Sequence, residues 1–368
     1  MKVRLGDVCD KASSSIIQKS LEKHEGKYPI YGASGLIKYV DFYQREKPYI
    51  AVVKDGAGIG RVMKLPAYSS VIGTMQYIIP NEKVDINYLV YSMEYMNLAK
   101  YFSGATIPHI YFRDYQKEPL NLPEIKVQKK IGGILSNIEK LIAFRNQELS
   151  KFDQLVKSRF IELFGDPVSN DKFWNLAILQ DVTSKIGSGA TPKGGKSSYQ
   201  KEGIPFIRSM NVHDGVFLSK DLAYLSDKQA KQLENVIVKE NDVLLNITGA
   251  SVARSCIVPK TVIPARVNQH VSIIRCIPKY LNPEFLNKLF LHHRYKNLLL
   301  SLGEAGGATR QAITKSQLEK LQIILPPLTL QNEFADFVQQ VDKSKLAVQK
   351  SLEKLEILKK SLMQQYFG

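Results

Sequence analysis

The sequence predicts a mixed α/β (α+β) protein in which two similar globular domains alternate with two long antiparallel helices. The first observation is a repeated motif: residues 120–128 (LNLPEIKVQ) recur as residues 323–331 (IILPPLTLQ), 203 positions later. The second is that each copy of the motif opens a proline-free segment in which apolar residues recur at every seventh position. A repeat this long is typical of a duplicated domain and exceeds the period of solenoid proteins.

The duplication extends along the whole chain. The matching segments are residues 5–8 with 179–182, 29–30 with 205–206, 56–61 with 249–254, 104–106 with 307–309, and 163–165 with 366–368. Because the offset grows from 174 to 203, the second copy has additional residues at discrete places. Length differences of this kind are typical of surface loops on a common scaffold.

The domain organisation follows from the positions of the repeat. We call each globular domain a head. Residues 1–127 are predicted to form the first head and residues 128–165 the first long helix, and residues 166–330 and 331–368 repeat this order. Within the heads, short β-rich segments such as residues 49–53 lie between Gly, Pro and Asn residues, which predicts strands joined by turns.

Each long helix has an unbroken heptad series that predicts a coiled-coil pairing surface. The series are Leu135, Ile142, Leu149, Val156 and Leu163 in the first helix, and Phe334, Val341, Val348, Leu355 and Leu362 in the second. Each helix would span roughly 55 Å, well beyond an ordinary core helix of about three to four turns. Antiparallel pairing predicts the layers Leu135–Leu362, Ile142–Leu355, Leu149–Val348, Val156–Val341 and Leu163–Phe334.

The chain is strongly basic, and its positive charge lies mainly in the heads. It has 51 Lys and Arg residues against 35 Asp and Glu residues, a formal net charge of +16. The first helix segment holds seven basic and four acidic side chains and the second six and five, which leaves +12 elsewhere. This excess favours a polyanionic partner, most commonly nucleic acid. Charge alone leaves two alternatives open: RNA instead of DNA, and a basic protein that binds no nucleic acid.

Cysteine usage and hydropathy predict a cytoplasmic protein. Cys9, Cys256 and Cys276 have neither paired spacing nor an even count, which favours buried thiols in a reducing compartment. No segment approaches the eighteen consecutive apolar residues of a membrane span, and the N-terminal residues lack the apolar core of a secretory signal.

The motifs that suggest catalysis do not satisfy its requirements. Residues 189–197 resemble a phosphate-binding loop, but the spacing is one residue too long. Asn282-Pro-Glu-Phe is close to an amino-methyltransferase motif, but Glu284 replaces the second proline, and we predict instead a helix start capped by Asn282. The six histidines are scattered, and no acid–base or nucleophilic constellation recurs in both heads. We therefore predict no catalytic residues and no metal site.

The order and duplication of the motifs resemble those of the specificity subunits of type I restriction–modification systems, over essentially the whole chain. The motifs that carry the resemblance are Leu-Pro-x-x-x-x-Gln at residues 122–128 and 325–331, Phe-Gly-Asp-Pro at 164–167, and residues 185–192, 246–250 and 268–270. The first head departs from the pattern, with Asp55 where the second has Thr248 and Met75 where it has Asn268.

The resemblance implies a sequence-specific DNA-binding subunit without catalytic activity. Each head would read one half of a bipartite double-stranded DNA target, and the helices would set the gap between the halves. The helices would also dock methyltransferase (modification) subunits, two by expectation, and the restriction/translocase subunits would join the complex. S-adenosylmethionine, ATP and Mg are expected on those partner subunits, and no cofactor is expected on this chain.

The internal repeat separates two classes of DNA-contact candidates. Residues common to both heads cannot distinguish two different half-sites, so Arg61, Arg254, Gln76, Gln269, Thr106 and Thr309 are interpreted as phosphate contacts or scaffold. Thr248, which has Asp55 as its equivalent in the first head, is placed in the same class. Base-reading residues should lie where the heads differ. The candidates are Lys38, Tyr39, Lys54 and Asp55 in the first head, and Lys193, Lys196, Arg208, Ser209, Asn211 and His213 in the second. The alternative for each is a solvated loop residue.

The sequence is compatible with two other functions. One is a self-sufficient DNA enzyme, which would methylate or cleave DNA as a pure chain. The other is a two-headed DNA-binding or protein-docking adaptor outside a restriction system. Salt-sensitive binding to duplex DNA separates a DNA-binding protein from a protein-docking adaptor, whose charge would be incidental.

Overall fold

The computed structural model describes residues 1–104, 108–304 and 311–368, and it consists of two compact units. The first unit comprises residues 1–148 and 348–368, and the second comprises residues 149–347. Each unit therefore contains one head and one half of each long helix. The predicted boundaries instead follow the ends of the helices. The difference arises because each helix half contributes apolar side chains to the core of one head.

The first head is an α+β domain built on two main sheets. Its strands are β1 (Lys2–Arg4), β2 (Cys9–Ser13), β3 (Tyr28–Gly32), β4 (Gly35–Val40), β5 (Tyr49–Val53), β6 (Val62–Leu65), β7 (Ser70–Val71), β8 (Met75–Pro80) and β9 (Pro119–Asn121). Its helices are α1 (Ile86–Tyr95) and α2 (Phe112–Tyr115). One sheet has the order β2-β8-β5-β6, and the other has the order β4-β3-β7 with β3 parallel to β7. Strand β5 is central and fully buried, as its apolar sequence predicts.

The second head repeats this plan with insertions. Its strands are β10 (Leu176–Ile178), β11 (Thr183–Ser188), β12 (Ile204–Ile207), β13 (Val212–His213), β14 (Val216–Phe217), β15 (Ala223–Leu225), β16 (Ile237–Val238), β17 (Val243–Asn246), β18 (Ser255–Ile257), β19 (Ala265–Val267), β20 (Val271–Cys276) and β21 (Gln322–Ile324). The sheet β11-β20-β17-β18 matches β2-β8-β5-β6, and β15-β12-β19-β16 extends the plan of β4-β3-β7. The duplication predicted from sequence is therefore visible as a shared strand order.

Short helices of the second head pack beside these sheets. They are α4 (Asp227–Lys231), α5 (Pro283–Leu291), α6 (His293–Glu304) and α7 (Lys315–Glu319). The Asn282 side chain accepts from the backbone N–H groups of Glu284 (2.8 Å) and Phe285 (3.4 Å), and Pro283 occupies the first helical position. The prediction that this segment is a capped helix start is confirmed.

The long helices are α3 (Ile125–Phe164) and α8 (Leu328–Phe367). Each begins three residues before its predicted start and ends one residue before its predicted end. The upstream prolines, Pro123 and Pro327, lie just outside the helices, where a missing N–H disrupts no helical hydrogen bond. Gly165 ends α3 with a φ of 71°, a left-handed conformation that favours glycine.

The two helices run antiparallel within each unit. In the first unit, the Lys359 ammonium forms an ion pair with Glu139. In the second, Lys345 pairs with Asp153 and Arg159 pairs with Glu333, each at 2.7 Å. Early residues of α3 thus meet late residues of α8.

The heptad residues are divided between the two units. Leu135 and Leu362 belong to the core of the first unit, whereas Val156, Leu163, Phe334 and Val341 belong to that of the second. Ile142 and Leu355 are half-buried. Leu149, half-buried, and Val348, buried, fall in different units.

A cross-link tests the predicted register in the second unit. We expect a variant with Val156→Cys and Val341→Cys to form a disulfide on mild oxidation, because both side chains are buried in one cluster on paired helices. A control with Val156→Cys and Phe334→Cys should not cross-link, since position 334 lies about 10 Å further along the helix. Non-reducing gel mobility reports the outcome. Preferential cross-linking of the control pair would contradict the register.

Candidate nucleic-acid interface

The two heads build the same turn at equivalent positions. The Gly56 N–H donates to the Pro108 carbonyl (3.0 Å), and the Gly249 N–H donates to the Gln311 carbonyl (2.9 Å). Both glycines have a positive φ, 80° and 72°, which explains why glycine recurs here. In each head this hydrogen bond joins the turn after a central strand, β5 or β17, to the segment before a short helix, α2 or α7.

The side chains on this turn differ between the heads. In the first head, the His109 imidazole donates to the Asp55 carboxylate, and the Lys54 ammonium lies 3.7 Å from the same carboxylate. In the second, the Thr248 hydroxyl and His270 are hydrogen-bonded. Asp55 and Lys54, predicted to read bases, therefore already bind each other, and both side chains are about a quarter exposed. Thr248 has the local hydrogen-bonding role expected of a scaffold candidate.

The remaining candidates of the first head lie on strand β4. The Lys38 ammonium donates to the Leu21 carbonyl (3.1 Å) and is half-buried. Tyr39 has its side chain exposed at the surface. Tyr39 is thus available to a ligand, whereas Lys38 is partly engaged in holding the segment that contains Leu21.

Arg208 lies at the end of β12 with its guanidinium over the Tyr199 ring, 5.6 Å from the centroid. One of its terminal nitrogens donates to the Asp221 carbonyl. The Nε is buried, with no hydrogen-bond partner among the described residues. The planar group is held in one orientation by these contacts and is half-exposed, as a specific reader requires.

The prediction that Asn211 reads bases is corrected by the structure. Its side chain is completely buried. The amide donates to the Leu218 carbonyl (2.9 Å) and its oxygen accepts from the Arg208 N–H (3.0 Å). Asn211 therefore holds the loop that carries Arg208 and cannot reach a base edge. Sequence pattern could not separate these roles, because an asparagine that satisfies backbone groups and one that reads a base occur in the same kind of loop.

The other four candidates of the second head differ in exposure. Lys193 and Lys196 are exposed on the loop that follows β11. Ser209 is half-buried, and its carbonyl accepts from the Asn246 amide (2.9 Å). His213 is half-buried and its Nε2 lies 3.2 Å from the Met210 carbonyl. Within the described part of the chain, neither lysine forms an ion pair.

The shared glutamines have different environments. Gln76 is buried, and its amide donates to the Ala12 carbonyl (2.7 Å) across the β2–β8 pair. Gln269 is exposed, and it accepts from the Thr191 hydroxyl and approaches His270. Gln76 is therefore scaffold, whereas Gln269 remains accessible to a ligand.

The shared arginines lie at equivalent places, five residues after the turn glycines Gly56 and Gly249. Arg61 is exposed and donates to the Ala33 carbonyl (2.8 Å), and Arg254 is half-exposed. Both positions are compatible with contact to a phosphate. The paired candidates Thr106 and Thr309 lie outside the described residues.

Two glutamines in the repeated motif have a role that the sequence did not indicate. The Gln128 side-chain oxygen accepts from the Asp85 N–H, and that of Gln331 accepts from the Asn282 N–H, both at 2.9 Å. Each amide donates to the carbonyl of the proline five positions earlier, at 2.8 Å in both heads. The glutamine thus joins the start of a long helix to the cap of a head helix. Its recurrence in the motif was the signal.

The first head also contains a cluster of aromatic and basic side chains that the sequence pattern did not indicate. The Tyr111 ring lies 4.1 Å from the His109 ring, and the Arg113 guanidinium lies 4.6 Å from the Tyr111 centroid. Both Tyr111 and Arg113 are exposed. The available signal was that these positions differ from their equivalents in the second head.

The buried thiols predicted from sequence are confirmed, because Cys9, Cys256 and Cys276 are all free and buried. Burial raises the pKa of each thiol to about 12, which keeps it protonated and unreactive. Among the residues that the structure describes, no group of His, Cys, Asp and Glu side chains is arranged to hold a metal ion. In the same residues, no helix is both long and apolar enough to cross a membrane.

The chain matches the sequence profile of a protein family described as the type I restriction modification DNA specificity domain, over residues 1–152 and 172–358. It is 23% identical to the type I restriction enzyme MjaVIII specificity subunit of Methanocaldococcus jannaschii over 393 aligned residues. That alignment covers 98% of this chain and 90% of the relative.

Solved structures share the fold. The crystal structure of a type I restriction-modification system S subunit from M. genitalium superimposes with a TM-score of 0.70 at 14% identity, covering 100% of this chain and 96% of that one. A chain from a structure titled for complex assembly and conformational transition of the type I R-M system gives a TM-score of 0.56 at 18% identity, covering 100% and 97%.

Proposed function

Because this chain belongs to the type I restriction modification DNA specificity domain family, we propose that it is the DNA-binding specificity subunit of a type I restriction–modification complex, without catalytic activity of its own. The observation that carries the proposal is the repeated head: two domains with one strand order present different side chains on equivalent turns. Such a chain is suited to read two different half-sites of a bipartite target. The net charge of +12 outside the helix segments supports contact with the DNA backbone.

The outer surfaces of the long helices support docking of partner subunits. Leu155 and Leu358 occupy equivalent heptad positions, 203 residues apart, and their side chains are 47% and 46% exposed. An exposed leucine repeated at equivalent places in the two units favours two copies of the same partner. We propose that these are the methyltransferase subunits, one for each unit, and that restriction subunits join the same complex.

The chemistry of the complex would then reside in the partners. S-adenosylmethionine would be held by the methyltransferase subunits, and ATP and Mg would also be bound by partner subunits. This chain would supply target recognition through the head loops and assembly through the helices.

Duplex binding by the purified chain tests the DNA-binding part of this proposal. We expect binding to weaken steeply as salt rises, and a pool of random duplexes to yield a motif in two parts. The pure chain should neither methylate nor cleave DNA. Salt-independent binding, or a motif in one part, would count against a two-headed DNA reader.

Arg61 and Arg254 provide a test of backbone contact. We expect Arg61→Ala or Arg254→Ala to weaken binding to all sequences and to reduce the salt slope by about one unit, because each removes one phosphate contact. Titration of binding against salt for a selected duplex and for an unrelated duplex measures this. If the variants change sequence preference and leave the salt slope unaltered, these residues read bases.

A further inference from the structure

We propose that Arg113, held over Tyr111, is the arginine with which the first head reads a guanine of its half-site. This inference rests on the proposed function and names a specificity determinant within it. Arg113 is 75% exposed, and its Nε lies 3.8 Å from the Asp114 carboxylate in a solvent-exposed pair. The guanidinium lies over the Tyr111 ring, 4.6 Å from its centroid, and its fork of N–H donors is accessible to solvent.

The contact with Tyr111 restricts the orientations open to a long, exposed side chain. Tyr111 is itself packed against His109, with 4.1 Å between ring centroids, and His109 donates to Asp55. This series of contacts connects the exposed arginine to the turn at the end of strand β5. A guanidinium held in this way loses less conformational entropy when it binds the O6 and N7 acceptors of guanine.

Tyrosine is an unfavourable residue for capping helix α2, which indicates that Tyr111 has another role. Tyr111 is the N-cap residue of helix α2 but makes no side-chain capping bond. Its equivalent in the second head is Thr314, which caps α7 in a reciprocal arrangement with Gln317. A threonine or serine would cap α2 better. The first head therefore has an exposed aromatic ring where a cap would stabilise the helix.

The two heads have the same pair of side chains at different places. In the second head, Arg208 rests on Tyr199. The residue equivalent to Arg208 in the first head is Gly32. The Tyr31 carbonyl accepts from the N–H of Ile72, which follows β7, and the Ile207 carbonyl accepts from the N–H of Asn268, which follows β19. Gly32 and Arg208 come directly after these two equivalent acceptors. The residue equivalent to Arg113 in the second head is Ser316. Each head thus lacks the arginine of the other, as expected if each arginine reads a base specific to its own half-site.

Selection from a pool of random-sequence duplexes by the full chain tests the inference. We expect the unaltered chain to select a motif in two parts. With Arg113→Ala, the preference for guanine should fall by about tenfold or more at one position of one half, and the other half should be unchanged. Arg113→Lys should lose the same preference while retaining affinity for unrelated duplexes, because an ammonium cannot make the paired contact. Arg208→Ala should alter only the other half.

Two further variants complete the experiment. Tyr111→Ala should reduce the guanine preference at the position that depends on Arg113, with the fold verified by an unchanged circular dichroism spectrum. Lys47→Ala removes an exposed positive charge elsewhere on the first head and should leave both halves of the motif unchanged.

The outcomes are distinguishable. If both Arg113 variants select the motif of the unaltered chain, the inference is wrong and the proposed function stands. If Arg113→Ala weakens all sequences equally, Arg113 contacts phosphate and the inference is likewise wrong. If the unaltered chain selects no motif, the proposed function fails and the inference fails with it.

Discussion

Replacing Phe164 by alanine should lower the free energy of unfolding of the second unit by about 3–5 kcal/mol. Phe164 is completely buried at the end of helix α3, and its ring lies 4.8 Å from that of Phe285 and 5.4 Å from that of Phe334. It thus joins both long helices to the core of the second head. Removing the ring leaves a cavity at the point where three elements meet.

The single tryptophan of the chain provides the measurement. The Trp174 indole donates to the Phe164 carbonyl (3.0 Å), so its fluorescence reports unfolding of the second unit in urea. The matched control is Ile161→Ala, three residues earlier on the same helix and about half exposed, which should change stability by no more than about 0.5 kcal/mol. Equal urea midpoints for Phe164→Ala and the control would show that the helix end does not support this core.

If the proposed docking of two methyltransferase subunits is right, replacing Leu155 or Leu358 by aspartate should remove one of them, and the double variant should bind neither. Each leucine is exposed on a long helix, and a charge at the centre of an apolar contact is expected to weaken binding by about thirtyfold or more. Mass measurement of the complex reconstituted from the full chain and the methyltransferase subunit gives the stoichiometry.

The control for docking is an exposed apolar residue of a head. Ile17→Asp introduces the same charge at a 69% exposed position in the first head and should leave two subunits bound. DNA binding by the isolated chain should be unaffected in all these variants. Two subunits bound to the double variant would locate the docking surface elsewhere.

The sequence predicted the fold class and the repeated plan well, because both depend on patterns that are visible along the chain. The seven-residue periodicity predicted two long helices, and the described helices begin and end within three residues of the predicted limits. The repeat predicted that the heads share one architecture, and their strand orders agree. The resemblance to type I specificity subunits, inferred from motif order, is confirmed by the family match and by related proteins.

The roles of individual side chains were less predictable, because they depend on residues distant in sequence. Asp55 is paired with His109, 54 positions later, and no local pattern connects the two. Asn211 is of a residue type that commonly reads bases, but its side chain is completely buried. The contact between Tyr111 and Arg113 involves a residue at the cap of α2, where the other head has Thr314, and no pattern along the chain marks it. Burial and partners of this kind are set by tertiary packing.

Mapping methylated adenines across the genome of the source cell, with and without this gene, tests the central claim most directly. The account predicts that methylation at one bipartite motif, two short specific halves separated by a fixed gap, disappears when the gene is deleted. Returning the gene with Arg113→Ala should restore methylation with a relaxed choice at one position of one half. An unchanged methylation pattern in the deletion strain, with the partner subunits expressed, would contradict the assignment of this chain as a specificity subunit.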